Sequence, residues 1–197
     1  MTRADARCDR QSFVDRVSIS IGMKLMNERL ASVRARMAET GTELVVLGPG
    51  ANQKWLLGFH TFADERPCYL LVGPLGEAFV MPLLNADEAR SKSDIPMEVW
   101  ADADGPHAAL VRGLAAVGAA DARSIALDES MRTDYAFLIA QALPAARTQM
   151  SSDSIMLPRM RKSASELGFL RENAAIADAA VRAAAAALRP GGTEADA

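Results

Sequence analysis

The sequence predicts an α/β fold, a three-layer α/β/α domain on a mixed sheet, followed by one long helix. Short apolar runs rich in Val, Ile and Leu alternate with stretches of helical periodicity, which calls for largely parallel strands with helices packed on both faces. A Gly-Pro-Leu-Gly turn at residues 73–76 joins two of these runs in an antiparallel hairpin, so the sheet is mixed. Ser163-Ala-Ser-Glu166 is a full capping box, and the helical pattern behind it continues to about Arg189.

Between Lys24 and Thr40 the apolar residues Met26, Leu30, Val33 and Met37 lie on one helical face, and Gly41 follows as a natural C′ residue. Leu44 to Leu47 is a short apolar run cut off by Gly48-Pro49-Gly50, and a short helix is expected next. Cys68 to Val72 reads as a second buried strand, joined by the turn to EAFVMPLL. Further strands are expected at Met97–Trp100, Ser124–Leu127 and Arg147–Met150. Helices are expected at Asn85–Lys92, at Pro106–Ala119 with Leu110, Leu114 and Val117 inward, and at Thr133–Leu143, ended by Pro144. In the last helix Leu167, Leu170, Ala174, Ala177, Val181, Ala184 and Leu188 repeat at 3–4 spacing and form a stripe that calls for burial. Pro190-Gly191-Gly192 breaks that helix, and Thr193 with Asp196 resembles the cap of another. These signals divide the chain into a polar leader at 1–22, an α/β domain at 23–157, and a linker with the long helix at 158–197.

Half of the residues are apolar, about a quarter are charged, and the net charge is −3. No basic stripe with interleaved aromatics is present, which argues against nucleic acid as a partner. No apolar run approaches the about 18 residues of a membrane span, and the leader is too polar for a signal-peptide core. Cys8 and Cys68 belong to no C-x-x-C pair and read as free thiols of a reducing compartment, so a cytoplasmic location is expected. Met23 is a candidate start.

Three candidate chemistries fail on detail. LGPGANQKW has Gln53 where a phosphate loop or dinucleotide fingerprint needs Gly, and reads as a strand-to-helix turn with Asn52 near the cap. ADADGPH gathers Asp102, Asp104 and His107, but Gly113 stands where an EF-hand has its Glu, and Asp104 reads as the cap of the helix containing Pro106. No G-x-S-x-G elbow accompanies His60 or His107, and Ser151, Ser152 and Ser154 lie in a turn-like stretch with no base nearby in sequence. No catalytic residue and no metal ligand is assigned. What remains is the loop in WLLGFHTFADERPCYLLV, where Phe59, His60, Phe62, Asp64, Glu65 and Arg66 make a polar-aromatic surface suited to binding.

The pieces resemble the creatinase, prolidase and aminopeptidase P family. Asn52-x-x-Trp55-Leu56-x-Gly58 is similar to that family's N-x-x-Y-L-x-G, with Trp in place of Tyr, and CYLLVGPLGEAFVMP is similar to its apolar strand and hairpin. LPRMRKSASELGFLRENAAIADAAVRAAAAALRPGGTE is similar to R-x-x-K-s-x-x-E-i-x-x-l-r-x-A-x-x-i-a-d-x-a … pG-x-t-E. It matches at Arg161, Lys162, Glu166, Leu170, Arg171, Ala174, Ile176, Gly192, Thr193 and Glu194. The resemblance covers about residues 24–197.

The resemblance implies an N-terminal domain and the first helix of a "pita-bread" catalytic domain. The two aspartates, the histidine and the two glutamates of the peptidases, with their two divalent metal ions (Mn, Co or Zn), would lie beyond Ala197. It implies a homo-oligomer, a dimer above all, and a peptide or small amide substrate acted on by an Xaa-Pro peptidase. By position it makes Arg66, with Phe62 as the aromatic candidate and His60 beside it, substrate-binding residues in the partner subunit's site. Alternatives stay open: a creatinase- or ectoine hydrolase-like parent, a free-standing dimerisation module, or a small-ligand-binding domain.

Overall fold

The computed structural model describes residues 25–193 and residue 195. The leader, Cys8, Met23, Glu194 and Asp196 lie outside the described residues. The chain divides into two compact units after Arg159.

In the first unit a helix over residues 25–40 (α1) leads through Gly41, at φ +65°, into β1 (Leu44–Leu47). Then follow α2 (Ala51–Leu57), β2 (Tyr69–Gly73), β3 (Gly76–Pro82), α3 (Leu83–Arg90) and β4 (Met97–Trp100). The unit is completed by α4 (His107–Ala116), β5 (Ser124–Leu127), α5 (Thr133–Ala142), β6 (Arg147–Met150) and most of α6 (Ser152–Met160). The strands form one sheet in the order β4-β3-β2-β1-β5-β6. Only β2 runs against the others, pairing antiparallel with both β1 and β3.

Alternation along the strands explains the layers. Val45, Leu47, Leu70, Val72, Phe79 and Met81 face one side, where Leu30 and Val33 of α1, Leu56 of α2, Ala86 of α3 and Ile155 of α6 cover them. Leu44, Val46, Tyr69, Leu71, Val80 and Ile125 face the other side, covered by Leu110 and Leu114 of α4 and by Tyr135 and Ile139 of α5. β1 and β2 are buried along their whole length, so both read as apolar runs without polar alternation. α4 approaches the sheet through Gly113, where a Cβ would stand 2.5 Å from Val80 Cγ2.

The expected strands and helices form, with two differences. The stretch read as a turn at Ser151–Ser154 opens α6, because the Glu129 carboxylate accepts from Ser152 N at 2.6 Å and from Ser151 Oγ at 3.0 Å and satisfies the start of the helix. Pro158 sits in its last turn, where a proline signal masks a helix otherwise marked only by Ile155. Asp104 caps nothing: α4 begins after Pro106, without a side-chain cap, and the Asp104 and Gly105 amides close a turn on the Ala101 carbonyl at 2.9 and 3.0 Å. Gly50 holds the cap position of α2, with Asn52 near it in the first turn.

In the second unit α7 spans Ala164–Ala187. Ser163 Oγ accepts from Glu166 N at 3.2 Å, and Glu166 Oε2 accepts from Ser163 N at 2.8 Å, the reciprocal box read from the sequence. No α7 residue is buried in this chain, and Ile176 and Val181 are both 69% exposed.

Candidate functional site

Because β2 alone is reversed, its amino end lies among the carboxyl ends of its neighbours. The loop before it, residues 59–68, is thereby delivered to the sheet edge where α/β folds place their sites. Its backbone is fastened from below by polar hydrogens on aromatic side chains. The buried Tyr135 hydroxyl donates to the carbonyls of Asp64 at 2.8 Å and Arg66 at 2.6 Å. Tyr69 packs edge-on against Tyr135, with centroids 5.5 Å apart, and donates its own hydroxyl to the Tyr135 carbonyl at 3.0 Å. From β4, Trp100 Nε1 donates to the Pro67 carbonyl at 3.1 Å. Buried Gln53 accepts from Thr61 N at 2.7 Å and Thr61 Oγ1 at 3.0 Å, and Cys68 Sγ donates to Thr61 Oγ1 at 3.1 Å. Burial pushes the Cys68 thiol up to about 12, so it is an inert packing group.

On this fixed backbone the polar side chains point outward. Arg66 grips Asp102 in a fork, Nε to Oδ1 at 3.1 Å and Nη2 to Oδ2 at 3.1 Å, while Nη1 donates to Glu65 Oε1 at 2.9 Å. The hydrogen bond that Arg66 donates to Asp102 raises the Arg66 pKa above its ordinary value, and the same bond holds the Asp102 carboxyl below the usual carboxylate range. Arg66, Asp102 and Glu65 line one side of an open groove of about 620 Å³ whose walls include Pro67, Trp100, Pro106 and Phe137. Phe62 stands 69% exposed, and His60 turns Nδ1 to the Thr61 carbonyl at 2.9 Å. Of the three residues singled out from the sequence, Arg66 therefore sits at the groove, while His60 and Phe62 line a separate small cleft with Asn85, Glu88 and Lys92.

A second polar cluster occupies the point where the helices after β1 and β5 leave on opposite faces of the sheet. Asp128, just beyond β5, accepts at Oδ1 from Ser130 N at 2.9 Å, Ser130 Oγ at 2.7 Å and Asn52 Nδ2 at 3.2 Å. Its Oδ2 is buried without a hydrogen-bond partner among the described residues. Asn52 Oδ1 in turn accepts from Arg159 Nη1 at 2.7 Å. Counted back three residues from Lys162, the R-x-x-K pattern lands on Arg159 rather than on Arg161, which is exposed. Two motifs 107 residues apart thus meet in space. Sequence reasoning missed Asp102, Tyr135, Asp128 and Arg159 as partners; only the Asp-rich ADAD stretch gave a signal. Among the described residues no group of three His, Cys, Asp or Glu side chains is placed to hold a metal ion, so no metal step is derived from this chain.

The sequence profile of the Creatinase/Prolidase N-terminal domain matches residues 29–162. No curated protein sequence matches the chain. Among solved structures, dipeptidase PepE from Mycobacterium ulcerans is similar at 27% identity and a TM-score of 0.74, over 88% of this chain and 47% of its own. A dipeptidase from Pyrococcus horikoshii OT3 is similar at 26% identity and a TM-score of 0.62, over 70% of this chain and 38% of its own. An Xaa-Pro dipeptidase from Bacillus anthracis shares the fold at 16% identity and a TM-score of 0.64, over 83% and 44% of the two chains. The chain therefore spans less than half the length of each of these enzymes. With the profile covering about two thirds of its residues and the six-stranded mixed sheet in place, the chain belongs to the creatinase/prolidase N-terminal domain family.

Proposed function

We propose that this chain serves as the N-terminal, oligomerising and active-site-covering domain of a metal-dependent Xaa-Pro peptidase, a cytoplasmic homodimer. In this reading residues 23–157 form the domain, and residues 158–197 are a linker and the first helix of the catalytic domain. Two divalent metal ions (Mn, Co or Zn), which would activate the water that attacks the scissile bond, would be held by residues outside this chain. The chain itself binds and orients. Arg66 offers a fixed guanidinium to a peptide carboxylate in the partner subunit's site, Phe62 offers an exposed aromatic face, and His60 borders it.

One observation carries the reading. The backbone on either side of Arg66 is fastened by Tyr135 and Trp100 while the charged end of its side chain stays at the surface. A loop built to cover a neighbouring site needs that combination of rigid backbone and accessible charge.

The test is kinetic. The full-length product of the natural gene is assayed with Ala-Pro and with creatine, with and without EDTA and added Mn²⁺. Hydrolysis of Ala-Pro that EDTA abolishes is expected. Arg66→Ala should raise KM about tenfold with metal content unchanged, as befits loss of a charge-assisted carboxylate contact. An unchanged kcat/KM would refute the role of the loop, and hydrolysis of creatine alone would replace the peptidase by an amidohydrolase.

A further inference from the structure

Arg66 carries five N–H donors, and the structure shows where three of them go. Asp102 takes Nε and one hydrogen of Nη2, and Glu65 takes one hydrogen of Nη1. Asp64 Oδ2 stands 3.9 Å from Nη1 as a longer ion pair. Once Glu65 releases Nη1, the two terminal nitrogens offer the donor pair that a carboxylate bridges in a fork.

The two acidic partners that accept its hydrogen bonds are mounted differently. Asp102 stands two residues beyond Trp100, whose indole holds the Pro67 carbonyl, and its backbone enters the turn closed on the Ala101 carbonyl. The same strand end thus fixes both the loop backbone and the guanidinium. Glu65 is the neighbour of Arg66 on the loop itself; its side chain is 71% exposed against 66% for Asp102, so the difference lies in the backbone that carries each.

We propose that Asp102 is a positioning residue, which holds Arg66 by its Nε side and keeps its outer donors aimed at an incoming carboxylate, and that Glu65 occupies the outer end until that carboxylate displaces it. This rests on the reading of Arg66 as a substrate-binding residue. It assigns opposite effects to the two carboxylates that accept hydrogen bonds from the one guanidinium. Removing Asp102 releases the guanidinium to Glu65 and weakens the site; removing Glu65 takes away a competitor and strengthens it. A role limited to stability would give both variants the same sign.

Two measurements decide it. In the 197-residue chain, the Arg66 Nε–Hε correlation, assigned by its loss in Arg66→Lys, should be protected from exchange in the wild type and in Glu65→Gln and lost in Asp102→Asn. In the full-length enzyme with Ala-Pro, Asp102→Asn should raise KM about fivefold and Glu65→Gln should lower it about twofold, with kcat unchanged in both, magnitudes suited to exposed charge pairs. An Hε signal indifferent to Asp102→Asn, or KM values that move in the same direction, would overturn the proposal. Should Arg66→Ala matter while neither acidic variant does, only this proposal falls. Should Arg66→Ala have no effect on kcat/KM, the substrate-binding reading falls and takes this one with it.

Discussion

Tyr135→Phe isolates the fastening of the loop from the packing of the core. The substitution keeps the ring, its edge-on contact with Tyr69 and its burial, and deletes one oxygen. That oxygen has one proton shared between the Asp64 and Arg66 carbonyls at 2.8 and 2.6 Å. Losing the bond costs about 1 kcal/mol net, and leaving two partly buried carbonyls against a phenyl edge costs about as much again, for a total of about 2 kcal/mol. At about 3 °C per kcal/mol for a domain of this size, the melting temperature should fall by about 6 °C. The loss should also be local, since the sheet beneath is untouched. In native-state hydrogen exchange, the amides of residues 62–66 should open at lower free energy while those of β1 and β2 move only with global stability. A melting temperature within 1 °C of wild type, or uniform loss of protection across the sheet, would refute the idea that this hydroxyl fastens the loop.

The remaining predictions address other parts of the molecule. Gly113→Ala should destabilise the domain by about 2 kcal/mol, measured by urea unfolding, because the new Cβ meets Val80 Cγ2 at 2.5 Å and Leu71 Cδ1 at 3.1 Å; an unchanged midpoint would show that α4 shifts freely. In a Cys8→Ser chain Cys68 should resist a thiol reagent at pH 8 until the protein unfolds, since its pKa is pushed up to about 12; prompt labelling of native protein would contradict that burial. The Asp102 carboxyl is held down by Arg66, so its pairing is intact above the ordinary carboxylate range and is lost as pH falls below it. The Arg66 Hε signal should therefore persist at pH 5 and fade only below about pH 4; loss already at pH 6 would point to a different partner.

How far the sequence carried differs between the fold and the site. Apolar runs such as Leu44–Leu47 and the turn at residues 73–76 are local signals, and the strands they mark all pair in the sheet. α6 was hidden because what starts it, the Glu129 carboxylate, lies beyond the preceding strand, and because Pro158 imitates a helix stop. At the site, the exposed loop with Arg66 was legible from residue type alone. Its supports were not: Asp102 is 36 residues away, Tyr135 is 69, and Arg159 meets Asn52 across 107. Such partnerships depend on which strand ends share an edge, and no local pattern encodes that. The ADAD stretch drew notice for the wrong reason, as a metal or capping candidate, when one of its acids is an arginine's counter-charge.

The place of β1 in the sheet bears on how the chain is made. One edge of β1 pairs with β2, which follows about 25 residues later, but the other pairs with β5, with Leu44 opposite Ile125. During synthesis the antiparallel strands β1 to β3, with β4 parallel beside β3, can assemble early, yet Leu44–Leu47 then waits as a wholly apolar strand with one edge of unpaired backbone groups until β5 emerges. That interval is the most hazardous for the nascent polypeptide. A ribosome pausing before Ser124 would expose a strand ready to pair with a neighbour's, whereas synonymous changes that hasten translation from 100 to 127 should raise the soluble yield. Stop codons introduced on either side of β5 would divide insoluble from soluble products at that strand.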